Sequence, residues 1–186
     1  HTFESLNLGF ANTEVLQLPL RRIDPPMLRA LVQAAREHKR VELGYISMKS
    51  AVEEERIIVP HTLVCTPMRW HVRAYCEKHR DYRDFVLSRF RGTPDIMGVS
   101  EHTVAQDELW NTFINIQIKP DGRLGEMQQE IIARDFDMTS GCLLVKTRAP
   151  LVEYMLRAFN IDPHKLEIVP EAQQIVVANY KEVEPY

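Results

Sequence analysis

The chain has 186 residues, 45% of them hydrophobic, and carries 23 basic against 26 acidic side chains. That is enough apolar material for a packed core in one large or two small domains. The near-balanced charge argues against a whole-surface nucleic-acid binder and leaves only local basic patches, while no apolar run approaches a membrane span or a signal peptide.

The three cysteines, Cys65, Cys76 and Cys142, match no zinc or redox spacing and read as reduced thiols of a cytoplasmic protein. The chain begins at His1 rather than Met and reads as a fragment. Residues 1–23 read as a linker or N-terminal extension: Leu6, Leu8 and Phe10 alternate, and Val15 to Leu20 is a short apolar run. Asp24-Pro25-Pro26 predicts a helix start, with Asp as N-cap and Pro in the first turn. Met27, Leu28, Leu31, Val32 and Ala35 give helical spacing, and the helix should end near His38-Lys39. Arg40 to Met48 alternates as a strand with Val41, Leu43, Tyr45 and Ser47 on one face. Ser50 to Glu55 is an acidic turn. Arg56 to Pro60 is a second strand in which Pro60 marks an end or an edge, with His61 to Cys65 continuing after a bend. Thr66-Pro67-Met68 is a turn.

Arg69 to Arg91 predicts a hairpin. Trp70, Val72 and Ala74 alternate with His71, Arg73 and Tyr75, Lys78 to Asp81 is the turn, and the return strand runs from about Tyr82 to Phe90. Arg83, Phe85, Leu87 and Arg89 share one face of that return strand. If this face adjoins His71, Arg73 and Tyr75, one surface carries three arginines, a histidine and a tyrosine. Guanidiniums so gathered repel each other unless an anion sits among them, and their planar fork suits phosphate or carboxylate. The other reading is a solvated face whose arginines pair with Glu77, Asp81 and Asp84. The run from residue 24 to 92, a helix and about four short strands, has the pattern of a small Sm/SH3-like β-barrel.

Residues 93–111 read as a linker, with Asp107-Glu108-Leu109-Trp110 as a short helical turn or clasp. In residues 112–186 a strand (Phe113 to Lys119), a helix (Leu124 to Asp135), a strand (Cys142 to Arg148), a helix opened by Pro150, and strands at Leu166 to Val169 and Gln174 to Ala178 follow in turn. The order suggests a ferredoxin-like α+β domain, so the expected class is mainly β plus α/β.

No catalytic or metal-binding pattern stands out. His61, His71, His79 and His102 lack metal-ligand spacing, no glycine-framed elbow surrounds Ser47, and Gly122 to Gly125 is too sparse for a phosphate loop. Neither an enzyme nor a cofactor is expected.

Residues 24–91 resemble the WYL domain of bacterial transcriptional regulators. The pieces are Ile23-Asp24-Pro25 with its helix, Leu43-Gly44-Tyr45-Ile46-Ser47-Met48, Arg56-Ile57-Ile58-Val59-Pro60-His61, Trp70-His71-Val72-Arg73-Ala74-Tyr75 and Tyr82 to Arg89. Trp70-His71-Val72 stands where the family has Trp-Tyr-Leu. Residues 112–180 resemble the C-terminal extension that often follows, by Ile116-Gln117-Ile118-Lys119-Pro120, Arg148-Ala149-Pro150 and Tyr154-Met155-Leu156-Arg157. The resemblance implies a homodimeric regulator of the kind found beside phage-defence genes. Its barrel face would bind a negatively charged effector, nucleotide or single-stranded nucleic acid, and an N-terminal winged helix-turn-helix, not in this chain, would read operator DNA. The family pattern falls on Tyr45, Ser47, His71, Arg73, Arg83 and Arg89. Arg73, Arg83 and Arg89 would take phosphates, Tyr45 or Tyr75 would stack on a base, and Ser47 and His71 would orient the ligand. Trp70, Phe85 and Leu87 read as core. The competing reading is a module that grips nucleic acid directly, without effector control.

Overall fold

Asp24 accepts the Met27 amide at 3.3 Å, and the prolines behind it enter helix α1 (Pro25–Glu37) where a missing N–H is harmless. His38 ends the helix in the left-handed conformation (φ 51°). The structure, a computed structural model, describes residues 21–162 and 164–186. The strand or linker expected over residues 1–20 lies outside them. Met27, Leu31 and Ala34 are the buried face of α1.

That face covers a five-stranded antiparallel sheet of β1 (Lys39–Ile46), β2 (Glu53–Cys65), β3 (Trp70–Cys76), β4 (Asp81–Val86) and β5 (Phe90–Val99), in the order β4-β3-β2-β1-β5. Val41, Leu43, Tyr45, Ile58, Val72, Ala74 and Phe85 form the core beneath α1. Burying each large apolar side chain contributes about 1.5–3 kcal/mol. A single 3-10 turn (Leu87–Arg89) joins β4 to β5. Each of these two strands pairs with one neighbour, so among the described residues the sheet is open and no closed barrel forms.

Two expectations change here. Pro60 does not end a strand: β2 runs unbroken, and the proline sits where the register against β3 shifts, a bulge that tolerates its missing donor. Residues 93–99, read as linker, continue β5 along β1; Gly92, Pro94 and Gly98 mask the strand pattern.

The segment after β5 holds a 3-10 turn (Val104–Gln106) and the short α2 (Glu108–Asn111). Next come β6 (Phe113–Pro120), α3 (Glu126–Asp135), β7 (Leu143–Arg148), a 3-10 turn (Ala149–Leu151), α4 (Val152–Ala158), α5 (Pro170–Gln173), β8 (Ile175–Val177) and α6 (Tyr180–Val183). Their core is Ile116, Ile118, Leu124, Ile132, Val152 and Leu156 with neighbours. The sheet order is β7-β6-β8, and β6 is antiparallel to both partners. In a ferredoxin-like fold the helix-linked strands run parallel; here β6 and β7 do not. The strand expected at Leu166 to Val169 is absent: Ile168 is 93% exposed, and the chain bends into α5. Among the described residues no helix is long and apolar enough to cross a membrane.

Candidate functional site

The register of the hairpin decides which side chains meet. His71 pairs with Val86, Arg73 with Asp84, and Tyr75 with Tyr82, so these six share one face. Arg83 lies opposite Ala74, on the other face, where it is exposed and 3.8 Å from Asp81. Arg89 sits in the 3-10 turn after β4, not on the strand. The expected surface of three arginines therefore reduces to Arg73.

Arg73 is itself 5% exposed. Its Nε donates to Asp107 Oδ2 at 2.7 Å and its NH2 to Oδ1 at 3.1 Å, a bidentate fork, while NH1 reaches Asp84 Oδ1 at 3.4 Å. Burial pushes the guanidinium down, but the two carboxylates outweigh it and raise its pKa. Asp107 makes two further contacts: it caps α2 by taking the Trp110 amide at 3.0 Å, and it lies 3.1 Å from His61 Nε2. Burial alone would raise its carboxyl; Arg73, the Trp110 amide and His61 together hold it below the usual range. Burial dominates at Asp84, whose pKa is raised, and at His61, whose pKa is lowered. Thus the carboxylate-paired reading of the arginine face holds for Arg73, with Asp107 as its main partner. Glu77 is taken by Arg40 instead.

His71 has no such partner. It is fully buried, and neither ring nitrogen makes a hydrogen bond among the described residues. Asp84 Oδ2 is 3.9 Å from Nε2, too far for one. Burial first, then the positive charges of Arg69 and Arg73, push its pKa down to about 4. The ring of Tyr154, on α4, stacks on it at 4.6 Å and 17°. The Tyr154 hydroxyl donates to Asp84 Oδ2 at 3.5 Å and accepts from Arg69 at 3.4 Å.

The remaining expected residues are engaged elsewhere. Tyr45 is core: its ring packs edge-on against Phe85 and Phe90, and its hydroxyl accepts the Val86 amide at 3.2 Å. The alternation that grouped it with Ser47 placed it on the buried face, not the exposed one. Ser47 closes its own turn through Ser50. Tyr75 stacks on His102 of the connecting segment at 3.5 Å. Sequence reasoning named Asp84 among the carboxylates that pair with the arginine face, and it missed Arg69, Asp107 and Tyr154. Asp107 had one signal, its place as N-cap of a short helical clasp. Tyr154 had none, because helical spacing assigns it simply to a packed face.

Two cavities of about 390 Å³ are notable. One lies between α4 and α6, where Glu153, Asp162 and Glu184 outnumber Arg157. The other lies between the Thr66–Arg69 turn and α4 and adjoins Tyr154. Among the described residues no cluster of His, Cys, Asp and Glu could hold a metal ion.

Two family models match the chain: a WYL domain over residues 26–93 and the C-terminal dimerization domain of the BrxR transcriptional regulator over residues 113–183. Two proteins named DNA-binding transcriptional repressor CapW are similar along most of it. The one from Escherichia coli (strain KTE188) is 35% identical over 164 residues, covering 88% of this chain and 54% of that protein. The one from Pseudomonas aeruginosa is 32% identical over 163 residues, with the same coverage of 88% and 54%. The chain thus spans about half the length of the curated relatives it matches. Among solved structures, the proteasome accessory factor B/C of Arthrobacter aurescens aligns at a TM-score of 0.38 and 18% identity, over 84% of this chain and 25% of that one.

Proposed function

The chain belongs to the WYL-domain family of transcriptional regulators, with a BrxR-type dimerization domain behind the WYL domain, and on that premise we propose that it is the sensing and dimerisation region of a bacterial repressor. Its ligand is an anionic nucleotide or single-stranded nucleic acid, taken on the β3–β4 face. The regulator is a homodimer through residues 113–183. A further segment of the longer protein reads operator DNA, as the name of the CapW relatives suggests. The place beside phage-defence genes that the sequence resemblance implies for this chain fits the same role. The strand order β4-β3-β2-β1-β5 with one 3-10 turn between β4 and β5 supports an Sm/SH3-like reading of the first unit.

One observation carries the sensing role: a fully buried, unbonded imidazole flanked by two arginines and covered by a single tyrosine. An orphaned buried polar group costs about 1–3 kcal/mol and persists where something else completes it. His71 and Arg73 would face the ligand, Tyr75 would border it, and Arg83 and Arg89 would draw anions toward the rim. Tyr45 would support the hairpin from behind through Val86 and Phe85, and Ser47, which closes the β1–β2 turn, takes no part. The role requires no turnover.

Fluorescence polarisation of labelled single-stranded DNA and RNA, with mono-, di- and cyclic nucleotides as competitors, tests this. Saturable binding that His71→Ala weakens is the expected result. No binding of any of them sinks the reading. A direct nucleic-acid grip would instead ignore competing nucleotides and lose affinity with a slope of about 0.7 per phosphate contacted in log K against log salt.

A further inference from the structure

The cavity beside Tyr154 gathers charge of one sign from three separate segments. Arg21 precedes α1, Arg69 closes the turn before β3, and Arg157 stands on α4. Their only carboxylate partner among the described residues is Glu153, which pairs with Arg157 one turn back on the same helix. Arg69 has no carboxylate within reach there; its guanidinium bonds the Tyr154 hydroxyl and lies 5.5 Å from the centre of that ring. The volume of about 390 Å³ is of ligand size.

We propose that this cavity is the phosphate subsite of a nucleoside-phosphate ligand, held by Arg69 and Arg157, and that Tyr154 is its movable wall, standing in the place of the ligand's base until the ligand arrives. The inference rests on the sensing role above and adds where the anion goes and what must move. Three details support it. Tyr154 lies nearly parallel over His71, the stacking a nucleobase makes on an aromatic ring. Its two hydroxyl bonds, at 3.4 and 3.5 Å, are at the long limit and weak enough to exchange. The imidazole beneath offers unsatisfied nitrogens to the edge of a base. Because Tyr154 belongs to the dimerization domain and His71 to the WYL domain, displacing the ring breaks a contact between the two units.

The ligand is either a free nucleotide or the 5′-phosphate end of a single strand. Titration calorimetry on this chain compares nucleoside 5′-monophosphates with their nucleosides, and short DNA strands with and without a 5′-phosphate. The phosphorylated member of one pair should bind at least tenfold tighter, and that pair identifies the source. Arg69→Gln and Arg157→Gln should each weaken it about tenfold, Arg134→Gln, on the exposed side of α3, should leave it unchanged, and Tyr154→Ala should strengthen it because no ring has to leave. Equal binding of both members of each pair overturns the proposal, as does wild-type affinity in Arg69→Gln and Arg157→Gln, or weakened binding in Tyr154→Ala. If ligands bind but respond only to His71 and Arg73 variants, the sensing role stands and this subsite falls. If nothing binds, both fall.

Discussion

His71 couples the site to pH through its lack of a partner. Its folded pKa is about 4, against 6.5 for the free side chain. Between those values the unfolded chain binds a proton that the folded chain refuses. Stability is therefore full above pH 6.5 and declines as pH falls toward 4. The groups facing the ring from all sides, Arg69, Arg73, Asp84 and Tyr154, supply no acceptor that reverses this. The loss between pH 6.5 and 5 should be about 2 kcal/mol, visible as a falling melting temperature; His71→Phe, which keeps a stacked ring, should flatten the slope. His61, lowered by burial as well, adds to it in the same direction. Arg73 and Arg83 make a second contrast. Arg73→Ala leaves Asp107 buried without its fork and should cost about 3 kcal/mol, a drop of roughly 10 °C. Arg83→Ala, exposed on the opposite face, should move the melting temperature by no more than about 1 °C. Equal losses in the two would contradict the hairpin register.

Among the elements, β1 is held from both sides, by β2 on one and β5 on the other. Gly44 is where the strands crowd: a Cβ there would stand 3.1 Å from the Arg91 carbonyl oxygen and 2.8 Å from a Glu53 carboxylate oxygen. The Glu53 side chain can swing away, whereas the Arg91 backbone, pinned in β5, cannot. Gly44→Val should destabilise by roughly 1–3 kcal/mol, seen as a lower urea midpoint at unchanged slope. The α1 cap, the polar turn (read at residues 78–81 and found at 77–80) and the alternation in β3 were all legible in the sequence, because each is written within a few residues. The pairing of β3 with β4 was not: one residue of register transfers Arg83 to the other face. β5 was hidden by its glycines and proline, which weaken the strand pattern although sheet pairing overrides it.

At the scale of the whole molecule, the contacts that build the site join segments far apart in the chain. Asp107 meets Arg73 across 34 residues, and Tyr154 meets Arg69 across 85. No periodicity reports such meetings, so the sequence placed His71, Arg73 and Tyr75 on one face but showed neither Asp107 nor Tyr154 against them. The joint between units is polar and aromatic: Trp110 packs edge-on against His61 and under Arg148, which also donates to the Trp110 carbonyl. If residues 113–183 pair two copies, light scattering should give twice the 21.7 kDa chain mass at micromolar concentration, and a monomer there would count against dimerisation by this region.

Asp107 holds an unusual place in the tolerance of the chain to change. It caps α2, neutralises Arg73 and meets His61 with two oxygens. Asparagine or serine would keep the cap and lose the charge; glutamate would keep the charge and, one methylene longer, misplace the cap. No single substitution thus keeps both the cap and the ion pair. Drift can alter the rim arginines singly, but position 107 can change only in concert with 73 and 61, so these three positions should travel together through the history of the sequence.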